Sequence, residues 1–320
     1  MDLKGYYPMK TTHRNYSEEN GDFNRIARFF THHRTTTRTH TTWCLGRFVD
    51  WKYGLYTDKR SSPSFCSENA HLWFDAFGEL VGFVISESGD ADFSIMTLEG
   101  YRFLYEEILQ WVLGTWKERV SESGCDFSTE ITEHQGWETK ILEGYGFHCQ
   151  STFFTRRFDL TEELVPHFPL EPGFTIVDMQ SHPDYRAQGI LRAEAFQGKS
   201  ALSEEELNHR LKYFNHNHNG PIYHPQTDLC VMAEDGTFVA GCEALINAHC
   251  LEADVERVCT HSNFRKRGFA RAVIQECLYR LHDMGIYNAY ITGYSQEAVA
   301  LYGSMGALDE VRAFAYEIVR

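Results

Sequence analysis

The chain has 320 residues, more than one core of ordinary size accommodates, so two domains are expected. A formal net charge of −15 disfavours binding to a phosphate backbone and favours a cationic partner. Nine cysteines without a C-x-x-C pair, an opening Met1-Asp-Leu-Lys-Gly-Tyr6 with no secretory leader, and no run approaching about twenty apolar residues point to a reducing cytoplasm and no membrane.

In chain order, the biased run Thr31-His-His-Arg-Thr-Thr-Thr-Arg-Thr-His-Thr-Thr42 is expected as a flexible surface loop. Trp43, Trp51, Tyr53 and Trp73 are expected to build an aromatic first core. Phe74 to Gly82 reads as strand, glycine turn, strand, and Leu104 to Trp116 as a helix with an apolar stripe. Pro166-His-Phe-Pro-Leu-Glu-Pro-Gly173 is the natural linker. Beyond it, Phe174 to Met179 reads as a strand, and the stretch from Pro183 to Leu191 opens a helix.

His209, His216, His218 and His224 interleave with Asn, Pro and Gly in an expected loop, and no metal is expected there. Gly220-Pro-Ile-Tyr223 is either an ordinary turn or a wall of an acceptor pocket before the strand Leu229 to Ala233. Met232 to Gly241 repeats the strand, turn and strand of Phe74 to Gly82, and Leu301 to Ala307 echoes Leu142 to Phe147. Both pairs are offset by about 160 residues, half the chain, which implies two copies of one architecture.

The segment from Ala253 to Ala307 concentrates the chemistry. Ala253 to Thr260 reads as a strand with Val255 on one face and Asp254, Glu256 and Val258 on the other. Arg265-Lys-Arg-Gly-Phe-Ala270 turns the chain into a helix whose buried stripe is Ala270, Val273, Ile274, Cys277, Leu278 and Leu281. Gly285 closes that helix, Tyr287 to Thr292 reads as a strand, and Ser295 caps a short helix carrying Ala298, Leu301, Tyr302 and Met305. A glycine lets backbone approach a ligand, and the unpaired amides of the following helix point outward, so the loop is a nest for phosphate.

On Arg265, Gly268 and Ala270, and on the ending Leu301-Tyr-Gly-Ser-Met-Gly-Ala307, the segment resembles the GCN5-related N-acetyltransferases (GNAT) over roughly residues 228 to 320. The resemblance implies an α/β (α+β) chain of two tandem GNAT-like domains, each a mixed, mostly antiparallel central sheet flanked by helices. Residues 1–165 would be a degenerate structural or substrate-shaping copy, 166–173 a linker, and 174–320 the catalytic domain with the acetyl-CoA site. The first copy carries Phe93 to Leu104 in place of the loop and Glu143 in place of the tyrosine.

The implied activity is acyl-CoA-dependent N-acyl transfer, from acetyl-CoA as cosubstrate to a primary amine of a small, cationic acceptor, with no metal and no nucleic acid. The alternatives are a non-catalytic CoA-binding sensor, or an aminoacyl or peptidyl transferase of related fold. An alkyl amine of pKa about 10 must lose a proton before it attacks. Glu256, through water, is the first choice of base and Asp254 the second. By the resemblance, Tyr302 protonates the departing sulfur. Val258, Cys259 and Thr260 pair with the pantetheine arm and offer amides to the tetrahedral oxygen. Arg265, Lys266, Arg267, Gly268, Phe269 and Ala270 hold the pyrophosphate, with Ser295 also at the cofactor.

Overall fold

The structure, a computed structural model, describes residues 10–54, 60–119 and 126–318. In chain order its regular elements are β1 (Thr12–Asn15), α1 (Asp22–Thr37), α2 (Leu45–Tyr53), α3 (Phe65–Asn69), β2 (Ala70–Phe74), β3 (Leu80–Ile85), β4 (Asp92–Thr97), α4 (Leu104–Thr115), β5 (Phe127–Thr132), α5 (Gly136–Gly144) and β6 (His148–Asp159). There follow β7 (Phe174–Asp178), α6 (Tyr185–Gln197), α7 (Glu204–Asn217), β8 (Tyr223–Ala233), β9 (Phe238–Asn247), β10 (Glu252–Thr260), α8 (Phe269–Asp283), β11 (Asn288–Gly293), α9 (Gln296–Gly303) and β12 (Asp309–Ile318). The chain divides into two compact units. Unit 1 takes the chain up to Phe48, the stretch 56–152 and the end from Ala313; unit 2 takes residues 49–55 and 153–312.

In unit 1 the strands run in the order β1-β2-β3-β4-β5-β12. Among the described residues the one parallel pair is β4–β5, joined at Asp92–Ser128 and Phe93–Thr129, and the other paired neighbours are antiparallel. Helix α4 lays the predicted stripe of Leu104, Ile108, Leu109 and Val112 on Val84, Phe93 and Ile95. In unit 2 the order is β6-β11-β10-β9-β8-β7, again with one parallel pair, β10–β11, in the corresponding place. Its core lies under α8, whose Val273, Ile274, Cys277, Leu278 and Leu281 meet Val231, Val239, Cys242, Ala244 and Val255. The half-chain repeat read from the sequence is therefore visible as a repeated strand order.

The sixth strand of each sheet comes from an unexpected place. A cut at 166–173 assigns β6 to the first unit and β12 to the second, whereas Phe153 onward in β6 belongs to unit 2 and Ala313 onward in β12 to unit 1. Nothing between His148 and Asp159 stops a strand: the stretch has no glycine or proline, and Phe154 to Asp159 pair antiparallel with Gly293 to Asn288.

Two expected loops are helices. The threonine-rich run lies largely in α1, where the hydroxyls of Thr31, Thr35 and Thr37 donate to the carbonyls of Ala27, Thr31 and His33 at 3.1, 3.0 and 2.9 Å. Burial of Ile26, Phe29 and Phe30 on the same helix outweighs the weak propensity of threonine. The histidine-rich stretch likewise enters α7, which carries His209; the side chain of His216 lies outside the described residues, and His224 sits on β8. Trp43 and Trp73 are buried in unit 1 as expected, while Trp51, equally buried, lies in the stretch 49–55 of unit 2.

One buried histidine makes the stability of unit 1 depend on pH. His71 takes a 2.8 Å contact from His13 and a 2.5 Å contact with the Asn15 side chain, and its ring stacks on Trp111 at 4.1 Å. Burial first, then the charges of His13 and Arg14, push it down to about 4. The folded value lies below the unfolded one, so between these values the unfolded chain binds the proton and the fold loses stability as pH falls from about 6.5 toward 4. Thermal unfolding across that window is expected to show a falling midpoint, with a shallower slope in His71→Gln.

Candidate active site

Strands β10 and β11 pair only at Glu252–Asn288, Ala253–Ala289 and Asp254–Tyr290, and then part. Each keeps its other neighbour: Ile291, Thr292 and Gly293 continue against Arg156, Thr155 and Phe154, and Cys259 and Thr260 pair with Gly241 and Ala240. The result is a slot between the C-terminal ends of two parallel strands, with backbone edges on both sides. On the β9 side the register of β10 slips between Glu256 and Cys259, and Arg257 sits at φ 51°, a left-handed conformation rare for a non-glycine residue.

The bulge changes which way the predicted residues face. Val258 packs with Val255 on the α8 side rather than sharing a face with Asp254 and Glu256. Cys259 turns toward α6, packing with Met179, Leu191, Cys230 and Phe238, where burial pushes its thiol up to about 12. It is no nucleophile, and only its backbone can serve a ligand. One inserted residue reverses the alternation beyond it, which a sequence pattern of period two cannot anticipate.

The loop after β10 has the geometry of an anion nest. A short 3₁₀ turn at Ser262–Phe264 leads to Lys266 at φ 63° and Gly268 at φ 85°, the residue before α8. No acidic residue lies in the first turn of α8, whereas the first turn of α4 in unit 1 carries Glu106 and Glu107, which oppose an anion. Arg265 and Lys266 are exposed, and Phe269 is buried in the core so that only its amide faces outward. Arg267 has a partner within the chain. It pairs with Glu171, and its guanidinium lies 4.9 Å from the ring centres of Phe174 and Phe269.

Helix α9 brings the predicted acid to the slot. Ser295 caps it by accepting from the Ala298 amide at 3.2 Å, and Tyr302 is 5% exposed in the core cluster with Val255 and Ile291. A side chain added at Gly293, the last residue of β11, would meet the Tyr302 ring at 3.3 Å. Burial, and after it the Glu256 carboxylate, raises the Tyr302 phenol above its ordinary value. Tyr302 and Glu256 are thus close enough to sense each other. Glu256 itself is exposed, and Asp254, on the same face, is half-buried.

Residues 192–307 match the family model of the acetyltransferase (GNAT) family. The chain carries a GNAT domain. No curated protein matches the sequence. Among solved structures, a GCN5-related N-acetyltransferase from Sphaerobacter thermophilus is similar with a TM-score of 0.66 at 17% identity, over 98% of both chains. A tandem GNAT protein from the clavulanic acid biosynthesis pathway gives 0.64 at 11% identity, over 96% of this chain and 98% of its own. A GNAT-family acetyltransferase from Colwellia psychrerythraea gives 0.56 at 11% identity, over 97% and 100%. At such identities the likeness is one of fold, and it covers both halves, so the architecture is that of a tandem GNAT with a mixed, mostly antiparallel sheet in each unit.

Unit 2 also contains polar residues that sequence reading missed. Under the bulge, the Arg257 guanidinium pairs with both Asp50 and Glu243; Glu243 pairs in turn with Arg192 at 2.9 Å, and Arg192 with Asp228 at 3.3 Å. Asp228 accepts from Gln188 at 2.7 Å and from the Tyr223 hydroxyl at 3.0 Å. Glu243 and Asp228 are wholly buried. Burial works against the charge of Arg192, but Glu243 and Asp228 outweigh it and hold the guanidinium protonated. Tyr223, expected at a turn, is therefore the end of this ladder. His218 packs at 4.3 Å from Tyr185 and 4.5 Å from Tyr223, and burial followed by the Arg192 charge pushes it down to about 3, so it stays neutral.

A second missed residue is Glu194 on α6. It accepts from the Ser262 amide at 2.9 Å and so fixes the turn that leads into the nest. Burial alone would raise it, yet the Ser262 hydrogen bonds and the charges of His261 and Arg265 hold it below its ordinary value. The available sequence signal for the ladder was a carboxylate inside an apolar strand, Glu243 between Cys242 and Ala244.

Proposed function

We propose that unit 2 is an acyl-CoA-dependent N-acyltransferase that moves acetyl from acetyl-CoA to a primary amine of a small molecule. The observation that carries this reading is the slot between β10 and β11, which opens beside a glycine nest and beside the largely buried Tyr302 side chain. In it the pantetheine arm pairs with the edge at Val258 to Thr260, and the diphosphate rests on the amides from Gly268 to Ala270. Lys266 and Arg265 supply positive charge there.

Glu256, through water, takes a proton from the acceptor ammonium, and the free amine attacks the thioester carbonyl. The carbonyl oxygen becomes an anion, and an amide released from the ladder by the bulge, that of Val258, donates to it. Collapse breaks the carbon–sulfur bond, Tyr302 delivers a proton to the leaving thiolate, and the surplus proton on the new amide nitrogen passes through water to the Tyr302 phenolate. Its raised pKa keeps that proton in place at neutral pH. Asp254 is the second candidate for base, since it shares the face of Glu256.

Thermal unfolding with and without acetyl-CoA tests the cofactor. At a hundredfold excess over the dissociation constant, linkage contributes about 2.7 kcal/mol. The wild type is expected to gain several degrees, and Gly268→Glu to gain none, because its carboxylate enters the nest and its φ of 85° disfavours any side chain. The comparison is between ligand-induced shifts within each protein. No shift in the wild type at millimolar acetyl-CoA sinks the reading.

A further inference from the structure

The segment from Leu164 to Glu171 is not a slack connection. It follows α8 toward its N-terminus, fastened at successive points. The His167 ring stacks on Tyr279 at 4.0 Å, the Phe168 amide donates to the buried Gln275 side chain at 2.7 Å, and Leu164 and Leu170 pack on the core. Val165 lies against Gly306, where an added Cβ would sit 2.8 Å from it. The Phe168 ring covers Gly268 so closely that a Cβ at that glycine would overlap it, and Glu171 holds Arg267 in an ion pair.

These contacts fall on the part of the site that a diphosphate needs. Gly268 is useful to an anion because it presents bare backbone, and that bare face is what the Phe168 ring occupies. Glu171 ties up the guanidinium of Arg267, a cation of the same loop. Pro166, Pro169 and Pro172 stiffen the segment, and Gly173 at φ 86° ends it with a pivot.

We propose that residues 164–171 form a hinged cover over the diphosphate end of the cofactor site, with Phe168 as its plug and the Glu171–Arg267 pair as its latch. The proposal rests on the CoA reading above. CoA binding lifts Phe168 off Gly268, separates Glu171 from Arg267, and leaves Arg267 to pair with phosphate oxygens. Affinity in the wild type is therefore reduced by the closed fraction of the molecule.

The test is calorimetric titration of CoA into the full-length wild type, Phe168→Ala and Glu171→Gln, with hydrogen exchange of residues 164–171 measured on the wild type. A cover predicts that both variants bind about tenfold more tightly, the closed-state penalty having been removed. It also predicts faster exchange of the segment once CoA is added. If the wild type binds CoA and both variants bind equally or more weakly, or if CoA protects the segment, the cover is overturned while the CoA reading stands. If none of the three proteins binds CoA, both fall.

Discussion

Replacing Tyr302 with phenylalanine is expected to lower turnover about 10²–10⁴-fold, the range for loss of a positioned general acid, and to leave acetyl-CoA binding unchanged. The substitution removes one oxygen from a ring that is otherwise held by packing among Val255, Ile291 and Met305, so the slot keeps its shape. Because burial and the Glu256 charge raise the phenol, wild-type activity should show no loss of the acid below about pH 10. The measurement is thiol release from acetyl-CoA over a panel of small amines, with the dissociation constant determined separately. Loss of binding in parallel with turnover would make Tyr302 a packing residue. A wild type that binds acetyl-CoA and transfers nothing to any amine would instead be a sensor.

The largest effect on stability is expected at Glu243. Truncation to alanine leaves Arg192 and Arg257 facing each other without their shared carboxylate, and breaking a buried pair in this way costs about 3–5 kcal/mol. At roughly 2–4 °C per kcal/mol for a domain of this size, the midpoint should fall by about 10 °C. Glu243→Gln keeps the shape and a hydrogen-bond acceptor and should lose less. A double-mutant cycle with Arg257→Met isolates the pair, since both partners contact the same bulge. A Glu243→Ala midpoint within 2 °C of wild type, on the same conversion, would mean that the ladder carries little of the stability.

The second outcome of that experiment concerns geometry. Arg257 adopts φ 51° inside a strand, which costs on the order of 1–3 kcal/mol unless its surroundings over-determine it. Here they do: two carboxylates and the strand ladders on either side of the bulge hold the guanidinium and the backbone. If Glu243→Ala lets β10 straighten, residues 257 and 258 return to the β9 ladder and the amide assigned to the oxyanion turns away.

What could be read from the sequence was whatever depends on local periodicity. The stripe of α8 from Val273 to Leu281, the Ser295 cap of α9 and the strand-turn-strand repeats each follow from residues a few positions apart and appear where expected, while Ala270, read as part of that stripe, is half-buried. The nest was legible for the same reason, since Gly268 must take a left-handed φ just before a helix. The bulge was not, because Arg257 gives no local sign of positive φ; its conformation is held by Asp50, more than two hundred positions away. The helix at Thr31 to Thr37 was obscured by composition, and only the burial of Phe29 and Phe30 beside it decides the matter. Phe168 reads as a linker residue until the linker is seen to follow α8.

The placement of β6 and β12 bears on how such a chain can be inherited. A duplicated gene normally frees one copy to decay, even to be deleted, while the other keeps the work. Here that freedom is partial. Unit 1 carries Phe93 to Leu104 and Glu143 where unit 2 carries the glycine loop and Tyr302. It cannot be discarded, because Phe153 to Asp159, encoded before the linker, are the partner strand of β11 on the side opposite the slot. A message cut at residue 173 encodes a second sheet lacking an edge and a last strand lacking its own. Seven residues of backbone encoded before the linker thus belong to the second sheet.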